Sequence, residues 1–212
     1  MYCLVKVCGS SINIDGGTAE SEKLNLRKVN RYAALLRGIN VSGKNILSMK
    51  YLRELFVDHE MKNVTTYIQS GNVVFDTEND DSSDISKKLE TAISNVFGYE
   101  ISVIIRSKQE LKEIIEKNPF ASEDEKMLYI TFLKESPDKE LLSELQEKNI
   151  NNDEIRIIDK NAYLLIRNGY GNTKLSNAFI EKKLRVVSTT RNINTVKKLI
   201  EITDQDFGEK KK

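Results

Sequence analysis

The order of helix-like and strand-like segments constrains the fold of this chain more than any other feature of its sequence. Short apolar runs of strand length are separated by stretches in which apolar residues recur at spacings of three and four, the period of an amphipathic helix. From residue 32 to residue 105 the predicted order is strand, helix, strand, strand, helix, strand. The same order begins again at residue 128 and ends at residue 188. We therefore expect two successive units with one architecture.

The first unit has clear start and stop signals. Its predicted strands cover residues 32–36, 64–68, 73–75 and 101–105. Ser48 and Asp84 are suitable N-caps for its two helices, because their side-chain oxygens can accept hydrogen bonds from unpaired amides. A connecting helix over residues 108–117 ends before Pro119, since the residue that precedes a proline is pushed out of helical geometry.

The second unit repeats this order after the connecting segment. Its predicted strands cover residues 128–133, 155–158, 163–166 and 185–188. Its predicted helices cover residues 138–147 and 174–184, and a last helix carries apolar residues from Ile193 to Ile200 at helical spacing. This element order is that of a ferredoxin-like unit. The sequence therefore predicts an α+β fold of tandem ferredoxin-like βαββαβ units with antiparallel sheets, plus connecting and C-terminal helices.

The expected domain organisation follows from these elements. An N-terminal extension over residues 1–29, expected to be disordered or to form a short edge strand, precedes the first half over residues 30–107. A connecting helix and loop occupy residues 108–125, and the second half with its C-terminal helix occupies residues 126–203. Residues 204–212 form a charged tail.

Charge and residue types argue against several classes of protein. The 33 basic and 32 acidic residues nearly cancel, which argues against a protein that coats nucleic acid or an anionic membrane. No apolar run approaches the ~20 residues that span a bilayer, and no export signal is visible. Both cysteines, Cys3 and Cys8, lie at the N-terminus, so we expect a cytoplasmic protein without a disulfide scaffold. With His59 as its one histidine, the main body lacks the ligands of a zinc site, and we predict no metal or cofactor.

The segment between the first strand and its helix, residues 37–45, is the most conspicuous polar connection and reads Arg-Gly-Ile-Asn-Val-Ser-Gly-Lys-Asn. It contains the G-x-x-x-x-G-K pattern of a phosphate-binding P-loop, in which the next residue must be Ser or Thr to bind magnesium. Here that residue is Asn45, and the helix begins near Ser48, too late for its first amides to hold a phosphate. A nucleoside triphosphatase is therefore not expected.

A broader anion-binding interpretation remains. Arg37 and Lys44 bracket glycines, whose exposed N–H groups attract phosphate or carboxylate. The alternative is that the glycines only permit a tight connection while Asn40 and Asn45 hydrogen-bond their own backbone. Because the first two strands of such a unit run parallel, we expect the loop and the turn at residues 69–72 to lie at the same edge of the sheet.

Two further features bear on the site and its ligand. Arg191 and Asn192 lie in a polar cluster ahead of the last helix, where capping explains one residue but does not require the arginine. Sheets of this kind bind RNA by stacking its bases on exposed aromatic residues, and the usual positions hold Asn and Val in the strand that begins near Asn72. Extended nucleic-acid binding is therefore not expected.

Several long motifs resemble those of one protein family. They occupy residues 32–41, 43–45, 66–75, 118–120 and 189–192. On these motifs the chain, from about Arg31 to Ile202, resembles the family called domain of unknown function 1697. The resemblance implies two ferredoxin-like halves and carries no established activity, cofactor or catalytic residue. Members of that family usually begin near the position of Arg31, so residues 1–29 depart from its pattern.

We therefore expect a cytoplasmic protein that binds a small anionic or phosphorylated ligand, such as a nucleotide, a phosphometabolite or a nucleic-acid end. The candidate binding residues are Arg37, Asn40, Ser42, Gly43, Lys44, Asn45, Gln69, Ser70, Asn72, Arg191 and Asn192. Two alternatives stay open. An enzyme acting on such a ligand would use a carboxylate, lysine or tyrosine, for which the nearest groups are Lys44, Tyr67 and Asp76. A protein-interaction or dimerisation module, including a homodimer, would need no ligand.

Overall fold

The computed structural model describes residues 29–41, 43–145 and 147–205. Nearly all of the predicted N-terminal extension and most of the predicted charged tail lie outside these ranges. Ser42 of the candidate site lies outside them as well. No helix in the described ranges is both long enough and apolar enough to cross a membrane.

The first unit forms one four-stranded sheet with two helices. Its elements are β1 (Asn30–Leu36), α1 (Met49–Asp58), β2 (Lys62–Tyr67), β3 (Asn72–Thr77), α2 (Ser82–Phe97) and β4 (Val103–Ser107). The strand order β2-β3-β1-β4, antiparallel at every pairing, is that of a ferredoxin-like unit. Helix α2 begins after Asp81, whose carboxylate accepts the amides of Ser83 and Asp84. The cap predicted at Asp84 therefore lies inside the first turn.

The second unit repeats this arrangement and adds a strand. After the connecting helix α3 (Lys108–Glu116), the elements are β5 (Leu128–Leu133), α4 (Lys139–Leu145), β6 (Glu147–Ile150), β7 (Asp153–Ile158), β8 (Asn161–Leu165), α5 (Asn177–Leu184), β9 (Ser188–Asn192) and α6 (Ile193–Asp204). The sheet is antiparallel with the order β6-β7-β8-β5-β9. Four of its strands thus reproduce the order of the first sheet, and the predicted α+β fold of tandem ferredoxin-like units is confirmed.

The extra strand β6 occupies residues that the apolar pattern assigns to a helix end and a loop. Asn151 and Asn152, with φ of +53° and +69°, form the two-residue connection between β6 and β7. Asparagine is one of the residues that accept this left-handed geometry in a tight hairpin. The pair of asparagines therefore specifies a hairpin, although β6 itself shows no apolar alternation in the sequence.

The last strand lies later than the sequence predicts. Residues 185–188 carry the predicted strand, but Arg185 ends α5 with φ of +55° and β9 begins at Ser188. Two threonines of this polar segment have hydroxyl partners inside the protein, Thr189 with the carbonyl of Leu36 at 3.4 Å and Thr190 with Thr131 Oγ1 at 2.7 Å. A strand whose polar groups bond to another strand cannot be recognised from apolar periodicity.

Three apolar clusters divide the molecule into layers. One lies between the first sheet and helices α1 and α2, and another between the second sheet and helices α4 and α5. The third lies between the two sheets, together with α3 and α6, and contains Phe132 of β5. Ala33 and Leu35 of β1 face this shared cluster, whereas Ala34 and Leu36 face the outer one. Both faces of the sheet are buried, which explains the uninterrupted apolar run of this strand.

The two units repeat each other's backbone contacts. The amide of Leu36, the last residue of β1, donates to the carbonyl of Gly71 in the β2–β3 turn at 2.8 Å. At the same place in the second unit, the amide of Leu133, the last residue of β5, donates to the carbonyl of Lys160 in the β7–β8 turn at 2.9 Å. The first strand of each unit therefore ends beside its own hairpin turn.

Two ion pairs join the units reciprocally. Arg37, directly after β1, donates to both carboxylate oxygens of Glu181 on α5 at 2.7 and 2.6 Å. Lys134, directly after β5, donates to Glu90 on α2 at 2.6 Å. Each glutamate also accepts the amide that opens the last strand of its own unit, at 2.7 Å in both cases. Each pair therefore connects the first strand of one unit with the last strand of the other.

A further ion pair connects the first sheet with the last helix. Arg31 in β1 donates to both oxygens of Asp76 in β3 at 2.6 and 2.8 Å, and Asn63 donates to the same carboxylate at 2.7 Å. Arg31 also donates to the carbonyl of Thr203 near the end of α6 at 3.2 Å. Burial alone would raise the pKa of Asp76, but the hydrogen bonds from Arg31 and Asn63 and the charge of Arg31 hold that pKa below its usual value.

We expect Asp76→Asn to lower the free energy of unfolding by about 2 kcal/mol near neutral pH, because Arg31 loses its charged partner. A carboxylate whose pKa is lowered on folding stabilises the protein above its unfolded pKa, about 3.9, and that contribution is lost as the pH falls through the lowered value. The difference between wild type and variant should therefore shrink below about pH 4. Urea denaturation on both sides of that pH measures it. Glu144→Gln, on the exposed side of α4, is the control, and equal stability of Asp76→Asn and wild type near neutral pH would contradict the prediction.

Candidate functional site

The glycine loop, residues 37–45, and the β2–β3 turn, residues 68–71, lie against each other. Asn40 Nδ2 in the loop donates to the carbonyl of Gln69 in the turn at 2.9 Å. Ile39 is buried beneath the turn, so close that a Cβ on Gly71 would lie 2.6 Å from Ile39 Cδ1. The structure therefore brings the two polar segments together at one edge of the first sheet. The side chain of Gln69 remains exposed there.

Two asparagines fix the backbone of the glycine loop. Asn40 accepts the amide of Leu47 at 2.8 Å and donates to the carbonyl of the same residue at 3.0 Å. Asn45 donates to the carbonyl of Gly38 at 3.0 Å. Both asparagines have positive φ, +53° and +47°, which asparagine adopts more readily than most residues. Their side chains therefore keep the shape of the loop, and that of Asn40 also holds the loop against the turn.

The two cations of the glycine loop have different surroundings. The hydrogen bond to Glu181 raises the pKa of Arg37 against the opposing effect of its partial burial, and Arg37 Nη1 makes no bond to any residue in the described ranges. Lys44 is exposed, and none of the carboxylates that the structure describes pairs with its ammonium group. The amides of Gly38 and Gly43 likewise have no acceptor in the described ranges.

Arg191 lies between the two units. It reaches from β9 to the first unit and is only 7% exposed. Its Nε donates to Asn72 Oδ1 at 2.6 Å. Its Nη2 donates to the carbonyls of Leu36 and Ser70 at 2.8 and 2.9 Å. Its Nη1 donates to two acceptors in its own strand, both at 2.8 Å. Burial lowers the pKa of Arg191 to about 10, so the guanidinium stays protonated at neutral pH. Every nitrogen has an acceptor, and Arg191 therefore fastens the β2–β3 turn to the second unit.

The remaining candidate residues also have partners inside the protein. Asn72 is fully buried and donates to the carbonyl of Tyr67 at 3.0 Å and to Ser70 Oγ at 3.1 Å. Asn192 is the N-cap of α6 and accepts the amide of Thr195 at 2.8 Å. Hence Asn72 and Arg191 position the backbone of the turn beside the glycine loop, whereas Asn192 serves the start of α6.

The groups considered for acid–base chemistry do not meet. Asp76 lies near the end of β3 that is remote from the turn, where Arg31 and Asn63 bind it. Tyr67 is half-buried against the cluster shared by the two sheets. Within the part of the chain that the structure describes, no three or more His, Cys, Asp or Glu side chains are grouped so that they could hold a metal ion.

A second polar site, which sequence reasoning missed, lies at the corresponding end of the second unit. A cavity of about 410 Å³ opens between α2, β4, the segment after β5 and the β7–β8 turn, and Arg106, Lys134 and Lys160 are among its lining residues. Arg106 is only 4% exposed and donates to the carbonyls of Leu133 and Lys160 at 2.7 and 3.2 Å. Burial lowers the pKa of Arg106, because the charged guanidinium is less well solvated there than in water.

Comparisons with known proteins agree with the fold and name no activity. Among solved structures, the conserved bacterial protein SP0830 from Streptococcus pneumoniae is similar, with a TM-score of 0.66 and 22% sequence identity over 83% of this chain and 99% of that one. At this identity the likeness shows the fold alone. No curated protein matches the chain. The family model described as "Protein of unknown function (DUF1697)" matches residues 29–163, more than half of the sequence, and the chain therefore belongs to that family.

Proposed function

We propose that this protein is a cytoplasmic binder of a small anionic or phosphorylated ligand, such as a nucleotide, a phosphometabolite or a nucleic-acid end. The binding surface is the glycine loop together with the exposed part of the β2–β3 turn. One observation carries the proposal. Asn45 is bonded to the backbone of the loop, and Asn40 to Leu47 just after it and to Gln69 in the turn. In contrast, the ammonium group of Lys44 and the amides of Gly38 and Gly43 have no partner among the described residues.

A loop with these properties has a physical reason to attract anions. Gly38 and Gly43 have positive φ, +66° and +75°, and N–H groups that turns of this kind leave unpaired attract anions. The loop keeps one shape because Asn40 and Asn45 hold it, so little conformational entropy is lost when a ligand binds. Lys44 then supplies charge at the tip, and Arg37 supplies it at the base through the nitrogen that Glu181 does not use.

Thermal-shift screening with nucleotides, phosphosugars, polyphosphate and short oligonucleotides tests this proposal. A ligand that binds only the folded state stabilises it by RT ln(1 + [L]/Kd), about 2.7 kcal/mol at a hundredfold excess over Kd. We expect at least one phosphorylated compound to raise Tm, and Lys44→Ala to weaken its binding about tenfold, the loss of about 1.4 kcal/mol. Lys50→Ala, which removes another exposed charge, from helix α1, should bind as wild type does. No response to the whole panel, or equal effects of the two variants, would overturn the proposal.

A homodimer is the second candidate function, and exposed apolar side chains around the same loop favour it. Val41 is 57% exposed, Ile46 68% and Ile68 49%, and contiguous exposed apolar residues are typical of association surfaces. Sedimentation over a range of protein concentrations distinguishes this candidate. A dimer that dissociates in Ile46→Asp would support it, and a monomer at every concentration would reject it.

A further inference from the structure

Arg106 and Arg191 occupy equivalent places in the two units. Each is the next-to-last residue of the last strand of its unit, and each is followed by the N-cap of a helix, Ser107 for α3 and Asn192 for α6. Each guanidinium also crosses to the other unit. Its Nη2 donates to the carbonyl of the last residue of that unit's first strand, at 2.7 Å for Arg106 and 2.8 Å for Arg191. The internal repeat therefore includes a pair of buried arginines.

The two arginines differ in how completely their donors are used. Arg191 has an acceptor for every nitrogen, including Asn72 Oδ1 for its Nε. Asn161 opens β8 as Asn72 opens β3, but its buried Oδ1 has no partner. Arg106 Nε has no acceptor in the described ranges, and Arg106 Nη1 donates only to the carbonyl of Ile105, at 2.9 Å. All the donor nitrogens of Arg191 are therefore hydrogen-bonded, whereas Arg106 retains free donors among the described residues.

The free donors belong to a residue that lines the cavity of about 410 Å³. Four basic and three acidic side chains line it, so the basic side chains are in excess. Lys134 is already paired with Glu90. Lys87 and Lys160, both exposed, have no acidic partner among the described residues.

The environment of Arg106 favours an incoming anion. A buried charge is costly unless an opposite charge or sufficient hydrogen bonds compensate it, and no carboxylate within the described residues bonds to Arg106. The charge of Glu110 and the ring of Phe132, whose centroid lies 5.7 Å from the guanidinium carbon, compensate it in part. An anion at the guanidinium would add an opposite charge that is bonded to it directly. Hydrogen bonds between arginine and a phosphoryl group are charge-assisted and stronger than neutral ones.

The lining also indicates what the rest of the ligand is. Among the described residues no aromatic side chain lines the cavity, so it lacks a surface on which a nucleobase would stack. The hydroxyl groups of Ser82, Ser83 and Ser136 and the carboxylates of Glu110 and Glu135 line it instead, and these groups suit a ligand with several hydroxyls. The volume lies within the range of about 300–1,000 Å³ that is typical of small-molecule sites.

We propose that this cavity is a binding site for a phosphorylated, polyhydroxylated small molecule of the sugar phosphate class, with its phosphoryl group on Arg106 and Lys160. The site is separate from the glycine loop and does not depend on the function proposed for that loop.

The test follows the Nε–H signal of Arg106 in ¹⁵N–¹H spectra of the full chain during titration with glucose 6-phosphate. We expect this signal to shift in a saturable manner, and unphosphorylated glucose to leave it unchanged. Lys160→Ala changes only an exposed side chain and should weaken the binding about tenfold, whereas Lys44→Ala in the glycine loop should leave it unchanged. Because Lys160→Ala leaves Arg106 in place, the test does not depend on a variant of a buried residue.

Four results would overturn the proposal. They are an Arg106 signal that does not respond to glucose 6-phosphate, equal affinity of Lys160→Ala and wild type, adenosine 5′-monophosphate bound more tightly than glucose 6-phosphate, and inorganic phosphate bound as tightly as the sugar phosphate. A response of Arg106 without any response of the glycine loop would support this site and count against the function proposed for the loop. A response of the glycine loop without any response of Arg106 would support the function proposed for the loop and count against this site.

Discussion

Arg191→Met is expected to lower the free energy of unfolding by about 5 kcal/mol, an amount comparable with the whole stability of many domains. The substitution leaves the carbonyl of Ser70 and the Oδ1 of Asn72 without their donor, and leaves the carbonyl of Leu36 only a 3.4 Å bond from Thr189 Oγ1. Each buried acceptor that loses its partner costs about 1–3 kcal/mol. Circular dichroism and urea denaturation measure the loss, and we expect a largely unfolded protein or a greatly lowered urea midpoint.

Two further variants show whether the loss of stability comes from the planar guanidinium of Arg191 and its several N–H donors. Arg191→Lys keeps the charge, but its single ammonium group cannot bond to acceptors on all sides, so we expect it to lose more than half as much stability as Arg191→Met. Arg167→Met removes an arginine that is paired with Glu154 at the surface and should cost at most about 1 kcal/mol. Similar losses for Arg167→Met and Arg191→Met would contradict the role assigned to Arg191.

Gly71→Ala is expected to cost about 3 kcal/mol, for two separate reasons. Gly71 has a φ of +78°, in the left-handed region that favours glycine. A Cβ there would also lie 2.6 Å from Ile39 Cδ1 and 2.9 Å from Leu36 Cβ. Because both neighbours are buried, the glycine loop or the β2–β3 turn must move to make room. Denaturation curves of the variant measure the cost.

Gly43→Ala is the matched control for Gly71→Ala. Its φ of +75° is almost the same, but a Cβ at Gly43 would meet no atom within 4 Å. We therefore expect only the conformational cost, about 1 kcal/mol. The difference between the two variants measures how tightly the loop packs beneath the turn, and equal costs would contradict that packing.

Local patterns were sufficient to predict most of the fold. The apolar run of β1 and the helical spacing of α1 predict those elements. A strand that is buried on both faces is apolar throughout, and a helix that is buried on one face has apolar residues at helical spacing. The sequence pattern predicts structure less well where polar groups bond to partners that are distant in the chain. Strand β9 reads as a polar loop because Thr190 bonds to Thr131 in another strand. Strand β6 is specified mainly by the turn at Asn151 and Asn152.

The candidate site could be predicted only in part, for the same reason. The approach of the glycine loop to the β2–β3 turn follows from the topology of one unit, and Asn40 confirms the contact. The burial of Arg191 and its bond to Asn72 depend on how the two units pack, which no local pattern specifies. Arg106 follows an apolar run directly before the cap Ser107, as Arg191 precedes the cap Asn192. This repeated pattern, an arginine directly before a helix N-cap, is the sequence signal from which Arg106 could have been predicted.

The most direct test of anion binding by the glycine loop is a ¹⁵N–¹H spectrum recorded with and without the phosphorylated compound that raises Tm most. We predict that the amide signals of Gly38, Gly43 and Lys44 shift in a saturable manner. Those of Gly98 and Gly169, glycines of positive φ in other loops, should stay in place. Shifts confined to other regions, or no shift with any compound of the panel, would contradict the proposed function.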